Sequence, residues 1–152
     1  MYIDEVLEKY KNEKIKLFVD MDGVIADYDV GLPCDYDKKR PLISNIIKLA
    51  EVSKNSNIEM NILSVTRYDK GFEEKNIWLD EFAPFFRKEN RVIISRESNN
   101  FESSSELKAN YLKSLNRDES IIILIDDDPR VINRIKETNE DVILLKDTTL
   151  VK

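Results

Sequence analysis

Five short apolar runs punctuate the chain: Ile15-Lys16-Leu17-Phe18-Val19, then 58–63, 91–95, 121–125 and 142–145. Runs of this length, bounded by polar or turn-forming residues, read as strands. Between them the apolar positions fall at helical spacing. Ile3, Val6, Leu7 and Tyr10 share one face of a helix predicted over 3–13. Pro41 suits a first helical turn, and Leu42, Ile43, Ile46, Ile47, Leu49 and Ala50 carry that helix to about residue 54. Phe72, Ile77, Trp78 and Phe82 predict a helix over 73–83, Ser103-Ser104-Ser105-Glu106 opens one over 104–115, and Pro129 opens one to Thr138. Residues 24–40, with Gly31 and Pro33, read as irregular, and 96–102 as a polar loop. There is no internal repeat. Alternating strands and helices specify an α/β fold: a Rossmann-like, parallel five-stranded sheet with helices on both faces. Ile121-Ile122-Ile123-Leu124-Ile125 is apolar throughout, as a central parallel strand requires.

The polar residues that interrupt this pattern collect just past the strands. Asp20-Met21-Asp22-Gly23 follows the first strand, and Gly23 lets the chain turn sharply away. Asp126-Asp127-Asp128 follows the fourth, and three acids after five apolar residues are hard to explain by solvation alone. In an open parallel sheet, ligands bind outside the carboxyl ends of the strands. Two carboxylates there are costly unless a cation or a proton separates their charges. The arrangement suits a hard cation such as Mg²⁺, and it suits a carboxylate nucleophile. The second strand ends in Ser64-Val65-Thr66-Arg67. A hydroxyl there can donate to a phosphoryl oxygen, with Ser64 preferred because it follows the apolar run directly. Arg67 offers a guanidinium that pairs bidentately with phosphate, or that is simply solvated. Asp128 suits the N-cap of the helix that Pro129 opens.

Composition narrows the chemistry. The chain has 152 residues, read as one domain over 1–152, with 36% charged residues and a net charge of −6. That disfavours a broad nucleic-acid-binding surface. There is no histidine, which excludes His-based triads and His zinc sites. Cys34 is the single cysteine, so no intrachain disulfide can form, and it reads as an ordinary thiol. The acidic start Met1-Tyr2-Ile3-Asp4-Glu5 lacks the apolar core of a signal peptide, and no run approaches a membrane span. A cytoplasmic protein with no membrane partner is expected; the oligomeric state is left open.

The string Leu17-Phe18-Val19-Asp20-Met21-Asp22-Gly23-Val24 resembles the first signature of the haloacid dehalogenase-like hydrolases, phosphatase branch. Leu63-Ser64, Lys108 and the Asp126-Asp127 pair resemble the second, third and fourth signatures in order. The resemblance implies strand order 5-4-1-2-3 and hydrolysis of a phosphomonoester through an aspartyl phosphate. It implies that Asp20 is the nucleophile and Asp22 the general acid and base. Mg²⁺ is then held by Asp20, the main-chain carbonyl of Asp22, and Asp126 and/or Asp127. Asp22 needs a raised pKa for its acid role, expected from the neighbouring carboxylates. Lys108, on its own helix eighteen residues before Asp126, is preferred as the site lysine. Lys75 is the rival: Glu74-Lys75-Asn76-Ile77-Trp78 resembles a stretch of the deoxyribonucleotidases. Lys75 is expected to lie farther from Asp20 than Lys108 does.

Between the first signature and the next helix, residues 24–40 leave room for a short flap and no folded cap, and 96–102 leave none either. The nucleotidases with a similar first signature carry a helical cap there. The open site suits a phosphorylated small molecule or a nucleic-acid end. The segment from Ser95-Arg96-Glu97-Ser98 to Lys108, with Arg67, also resembles the phosphatase domain of polynucleotide kinase-phosphatases. The alternatives are therefore a nucleic-acid 3′-phosphatase, a 5′-nucleotidase, or a non-catalytic member that binds metal or a partner through the same fold.

Overall fold

A computed structural model of the chain describes residues 2–28 and 36–151; Cys34 lies outside them. Five parallel strands form one sheet: β1 (Ile15–Val19), β2 (Ile58–Thr66), β3 (Arg91–Ser95), β4 (Ile121–Ile125) and β5 (Ile143–Leu145). Their order is β3-β2-β1-β4-β5, the expected order read from the other edge. The helices are α1 (Ile3–Lys9), α2 (Ile43–Val52), α3 (Lys70–Phe82), α4 (Ser104–Ser114) and α5 (Pro129–Thr138). None of the described helices is long and apolar enough to cross a membrane.

Strand β4 is apolar throughout, and β1 at every position but Lys16, because both sheet faces are covered. Ile15, Leu17 and Val19 of β1 and Ile123 and Ile125 of β4 face one core, with Ile3 and Val6 of α1, Leu49 of α2, and Trp78 and Leu79 of α3. Phe18, Ile122 and Leu124 face the other, with Ala109 and Leu112 of α4 and Val131 and Ile135 of α5. The site is thus flanked by α3 from one face and α4 from the other.

The element boundaries differ from the sequence-based expectation where pairing or burial decides. Helix α1 stops at Lys9, because Lys11-Asn12-Glu13-Lys14 has no apolar side chain to bury. Strand β2 extends to Thr66, since Ser64, Val65 and Thr66 pair with Ile93, Ile94 and Ser95 of β3. Helix α3 starts three residues earlier than its apolar spacing suggests, at Lys70. Between β1 and α2 the described residues hold only a single 3-10 turn, Tyr36–Lys38, and no folded cap.

Ile123 is fully buried under the α1–α3 side. Ile123→Ala is expected to lower unfolding free energy by about 2–5 kcal/mol, as large-to-small core changes do, measured by urea denaturation. A loss below about 1 kcal/mol would contradict the central packing of β4.

Candidate active site

Strand register builds the centre of the site. Val19 pairs with Ile125, so the next residues, Asp20 and Asp126, emerge side by side from the two central strands. The ladder continues through them: the Asp20 N–H donates to the Ile125 carbonyl at 3.0 Å and the Asp126 N–H to the Leu145 carbonyl at 3.1 Å. Helix α4, capped by the Ser103 hydroxyl on the Glu106 N–H, carries Lys108 over this edge. Its Nζ donates to Asp20 Oδ1 at 2.9 Å and to Asp126 Oδ2 at 2.7 Å. All three side chains are buried. The remaining Asp126 oxygen accepts from the Asp128 N–H at 2.9 Å.

The chain leaves β1 through a tight turn that buries Met21, Val24, Ile25 and Ala26. Gly23 sits there at φ +82°, in the left-handed region. A Cβ at this position would lie 2.1 Å from Asp127 Oδ2. Glycine is therefore required twice over, by conformation and by the close approach of Asp127. That approach brings ligand oxygens of Asp20, Asp126 and Asp127 within 4.8 Å of one another. Three hard carboxylate donors at this spacing fit an oxygen-coordinated Mg²⁺.

A second lysine enters from the other face. Lys75 of α3 is buried, and its Nζ donates to Ser64 Oγ at 2.6 Å, the Val65 carbonyl at 3.0 Å and Asp22 Oδ2 at 3.3 Å. It is Lys108, not Lys75, that bonds Asp20, as expected, yet Lys75 is buried in the same site through Ser64 and Asp22. Helices on opposite sheet faces converge at the same carboxyl edge, so α3 and α4 each deliver an ammonium. A third cation, Lys39, pairs with Asp22 Oδ1 at 2.7 Å. Trp78 Nε1 fixes its backbone by donating to the Lys39 carbonyl at 3.0 Å, and its ammonium lies 4.8 Å from the Tyr36 ring centroid. Lys39 stands in a polar Lys38-Lys39-Arg40 run that looks solvated, so only the docking of this segment on α3 reveals it.

These partners set the protonation states. Burial drives the Asp20 carboxyl up to about 8; Lys108 opposes the rise and Asp126 adds to it. Burial and the Asp126 charge also raise Asp127. Burial alone would lower Lys108, but Asp20 and Asp126 more than offset it and hold the ammonium above its ordinary value. Asp22 moves the opposite way to expectation. Burial pushes it up, yet Lys75 and Lys39 hold it below the usual carboxylate range. The sequence places acids beside Asp22, whereas the fold turns its side chain toward two lysines.

The cleft over the carboxylates is small, about 90 Å³, and includes Asp20, Asp22, Lys108, Asp126 and Tyr28. A larger hollow of about 480 Å³ lies at the amino end of β2, beside Met60, Phe85 and Arg87, and lacks the paired acids and buried ammonium. Arg67 is exposed and lies against the Tyr68 ring, 5.5 Å from its centroid, where no acid of the cluster pairs with it among the described residues. Asp128 caps α5, accepting from the Arg130 N–H at 2.9 Å.

No protein-family model and no curated protein matches the sequence. Solved structures do. A chain of a Pnkp1/Rnl/Hen1 RNA repair complex superimposes with a TM-score of 0.66 at 14% identity, covering 89% of this chain and 43% of that one. A chain of another Pnkp1/Rnl/Hen1 complex gives 0.68 at 13% identity, covering 88% and 46%. The N-terminal part of BF1531 from Bacteroides fragilis, containing a phosphatase domain complexed with Mg, gives 0.57 at 17% identity, covering 94% and 38%. The chain shares its α/β fold with these structures. It spans less than half the length of each of these chains.

A carboxyl raised by folding stabilises fully below its unfolded value, 3.8 for Asp20, and loses that contribution as pH rises through its folded value, about 8. Metal-free protein is therefore expected to lose thermal stability between about pH 5 and pH 8. Added Mg²⁺ is expected to raise the melting temperature more at the higher pH, where Asp20 gives up its proton more readily. Differential scanning fluorimetry checks this; an equal or absent Mg²⁺ effect at both pH values would contradict a metal site at Asp20, Asp126 and Asp127.

Proposed function

We propose that the chain is a Mg²⁺-dependent phosphatase that hydrolyses a phosphomonoester through an aspartyl phosphate on Asp20. The observation that carries this reading is the Lys108 bridge between Asp20 and Asp126, with Asp127 close enough to complete a metal site. The fold shared with a Mg-complexed phosphatase domain supports it. Mg²⁺ held by Asp20, Asp126, Asp127 and the Asp22 main-chain carbonyl would supply positive charge against the substrate phosphate. In the first step an Asp20 oxygen bonds to phosphorus, the ester P–O bond breaks, and Asp22 gives its proton to the leaving oxygen. In the second, Asp22 as carboxylate takes a proton from water, the water oxygen bonds to phosphorus, and inorganic phosphate leaves Asp20. Lys75 and the Ser64 hydroxyl grip the phosphoryl oxygens, while Lys108 holds the nucleophile in place. For Asp22 to carry a proton in the first step, Lys75 and Lys39 must shift from its carboxylate to the phosphate. An incoming anion favours that shift.

A nucleic-acid end is the second reading of the substrate, supported by likeness to chains of RNA repair complexes. A nucleotidase reading has less support, because the described residues contain no helical cap. A non-catalytic role fits poorly with the intact Asp20 and Asp22 pair.

Asp20→Asn is expected to abolish phosphate release from an aryl phosphate while the circular dichroism spectrum stays native, and chelation of Mg²⁺ is expected to silence the unaltered protein. Wild-type turnover in the folded variant would remove Asp20 as nucleophile.

Lys108→Met and Lys75→Met are each expected to lower kcat by ~10²–10³-fold, the range for losing a positioned donor to transition-state charge. Steady-state kinetics on protein shown to be folded would decide, and an unimpaired Lys75→Met would return that lysine to a packing role.

A further inference from the structure

The cleft over Asp20 has room for little beyond a phosphoryl group, so the leaving group must lie outside it. One neighbouring space opens directly from that cleft. A groove of about 310 Å³ shares Tyr28, Ser104 and Asp128 with it, and continues past Arg96, Ser105 and Arg130. Its chemistry differs from the acidic centre, since it presents two guanidinium groups against the single Asp128 carboxylate, with serine hydroxyls and one tyrosine ring.

The guanidinium groups are held in place. Arg96 Nε and Nη2 donate to the Glu102 and Phe101 carbonyls, both at 2.8 Å. Arg130 Nε and Nη2 donate to Asp128, both at 3.2 Å, and the Arg130 side chain is 84% exposed. A guanidinium has five N–H donors, so each arginine keeps donors beyond these contacts. Tyr28 is 59% exposed and stands at the junction of cleft and groove, an aromatic face available for stacking.

We propose that this groove receives a second phosphate carried by the leaving group, bound by Arg96 and Arg130, with the moiety between the two phosphates against Tyr28. The inference rests on the phosphatase reading above and adds a substrate class to it: phosphomonoesters whose leaving group bears another phosphate. A nucleic-acid strand supplies one through its next phosphodiester, and a bisphosphorylated small molecule supplies one directly.

The test compares kcat/KM for an aryl phosphate, thymidine 3′-phosphate, thymidine 5′-phosphate, thymidine 3′,5′-bisphosphate and a 3′-phosphorylated trinucleotide. The bisphosphate or the trinucleotide is expected to exceed the monophosphates by about tenfold, the effect of one charge-assisted contact. Arg130→Gln, on an exposed helix position, is expected to bring that ratio most of the way to one, and Arg96→Gln to do the same. An advantage for both doubly charged substrates assigns the groove to a free second phosphate; an advantage for the trinucleotide alone assigns it to a nucleic-acid backbone. Equal kcat/KM across all substrates, or a ratio unmoved by both arginine changes, would overturn the proposal. Calorimetric binding of thymidine 3′,5′-bisphosphate to the Asp20→Asn protein reads the groove without turnover. About tenfold weaker binding in Asp20→Asn with Arg130→Gln would support the groove even if no substrate is hydrolysed. Unchanged binding would overturn it even if the aryl phosphate is turned over.

Discussion

Two carboxylates on adjacent central strands cannot share a dry sheet edge without a counter-charge, and Lys108 supplies it. The register that pairs Val19 with Ile125 leaves Asp20 and Asp126 no choice but to emerge together. Desolvation then opposes the ionisation of Asp20, as its raised pKa records. One ammonium bonded to both carboxylates is the minimum that keeps the arrangement stable. Removing such a partner leaves a buried charge uncompensated, at roughly 3–5 kcal/mol. With Asp127 added, the cluster holds three acids against one lysine, an excess of negative charge that a divalent cation would relieve.

The second constraint is the two-sided covering of the sheet. Lys75 and Lys108 lie thirty-three positions apart on helices that pack against opposite faces. Both side chains run toward the carboxyl edge, where the strands end and backbone gives way to a cleft. Lys108 neutralises the acids that hold the centre, while Lys75 ties Ser64 to Asp22 on the flank. The site is thus built from positive charge approaching an acidic ridge from both sides. Lys39 adds a third cation from the segment docked on α3.

On the proposed reading, small volume at the centre and open space beside it divide the work of recognition. The cleft suits an anion of phosphate size, and the arginine-bearing groove lies beyond it. Among the described residues no folded cap covers the site, and its walls are surfaces of the core itself.

The sequence by itself determined the sheet. Strands β1, β3 and β4 fall where short, mostly apolar runs place them, and β4 is apolar at every position because both of its faces are covered. Asp20, Asp22, Ser64, Asp126 and Asp127 were legible as candidates because polar residues at the ends of such runs have few other reasons to be there, whereas Lys108, inside a helix, was legible only through the resemblance to a family signature. The tertiary structure alone decided which charges meet. Asp22 lies two residues from Asp20, yet its pKa falls rather than rises, because Lys39 and Lys75 reach it from distant positions. Arg67 follows the site strand directly, yet its guanidinium lies on Tyr68 instead of the acids. Lys39 stood unmarked among 24 lysines and arginines, and Lys75 stood out only as the rival to Lys108. Local periodicity reports which face a residue occupies. Coulombic partners depend on where separate elements converge, and that is fixed only when both faces of the sheet are packed.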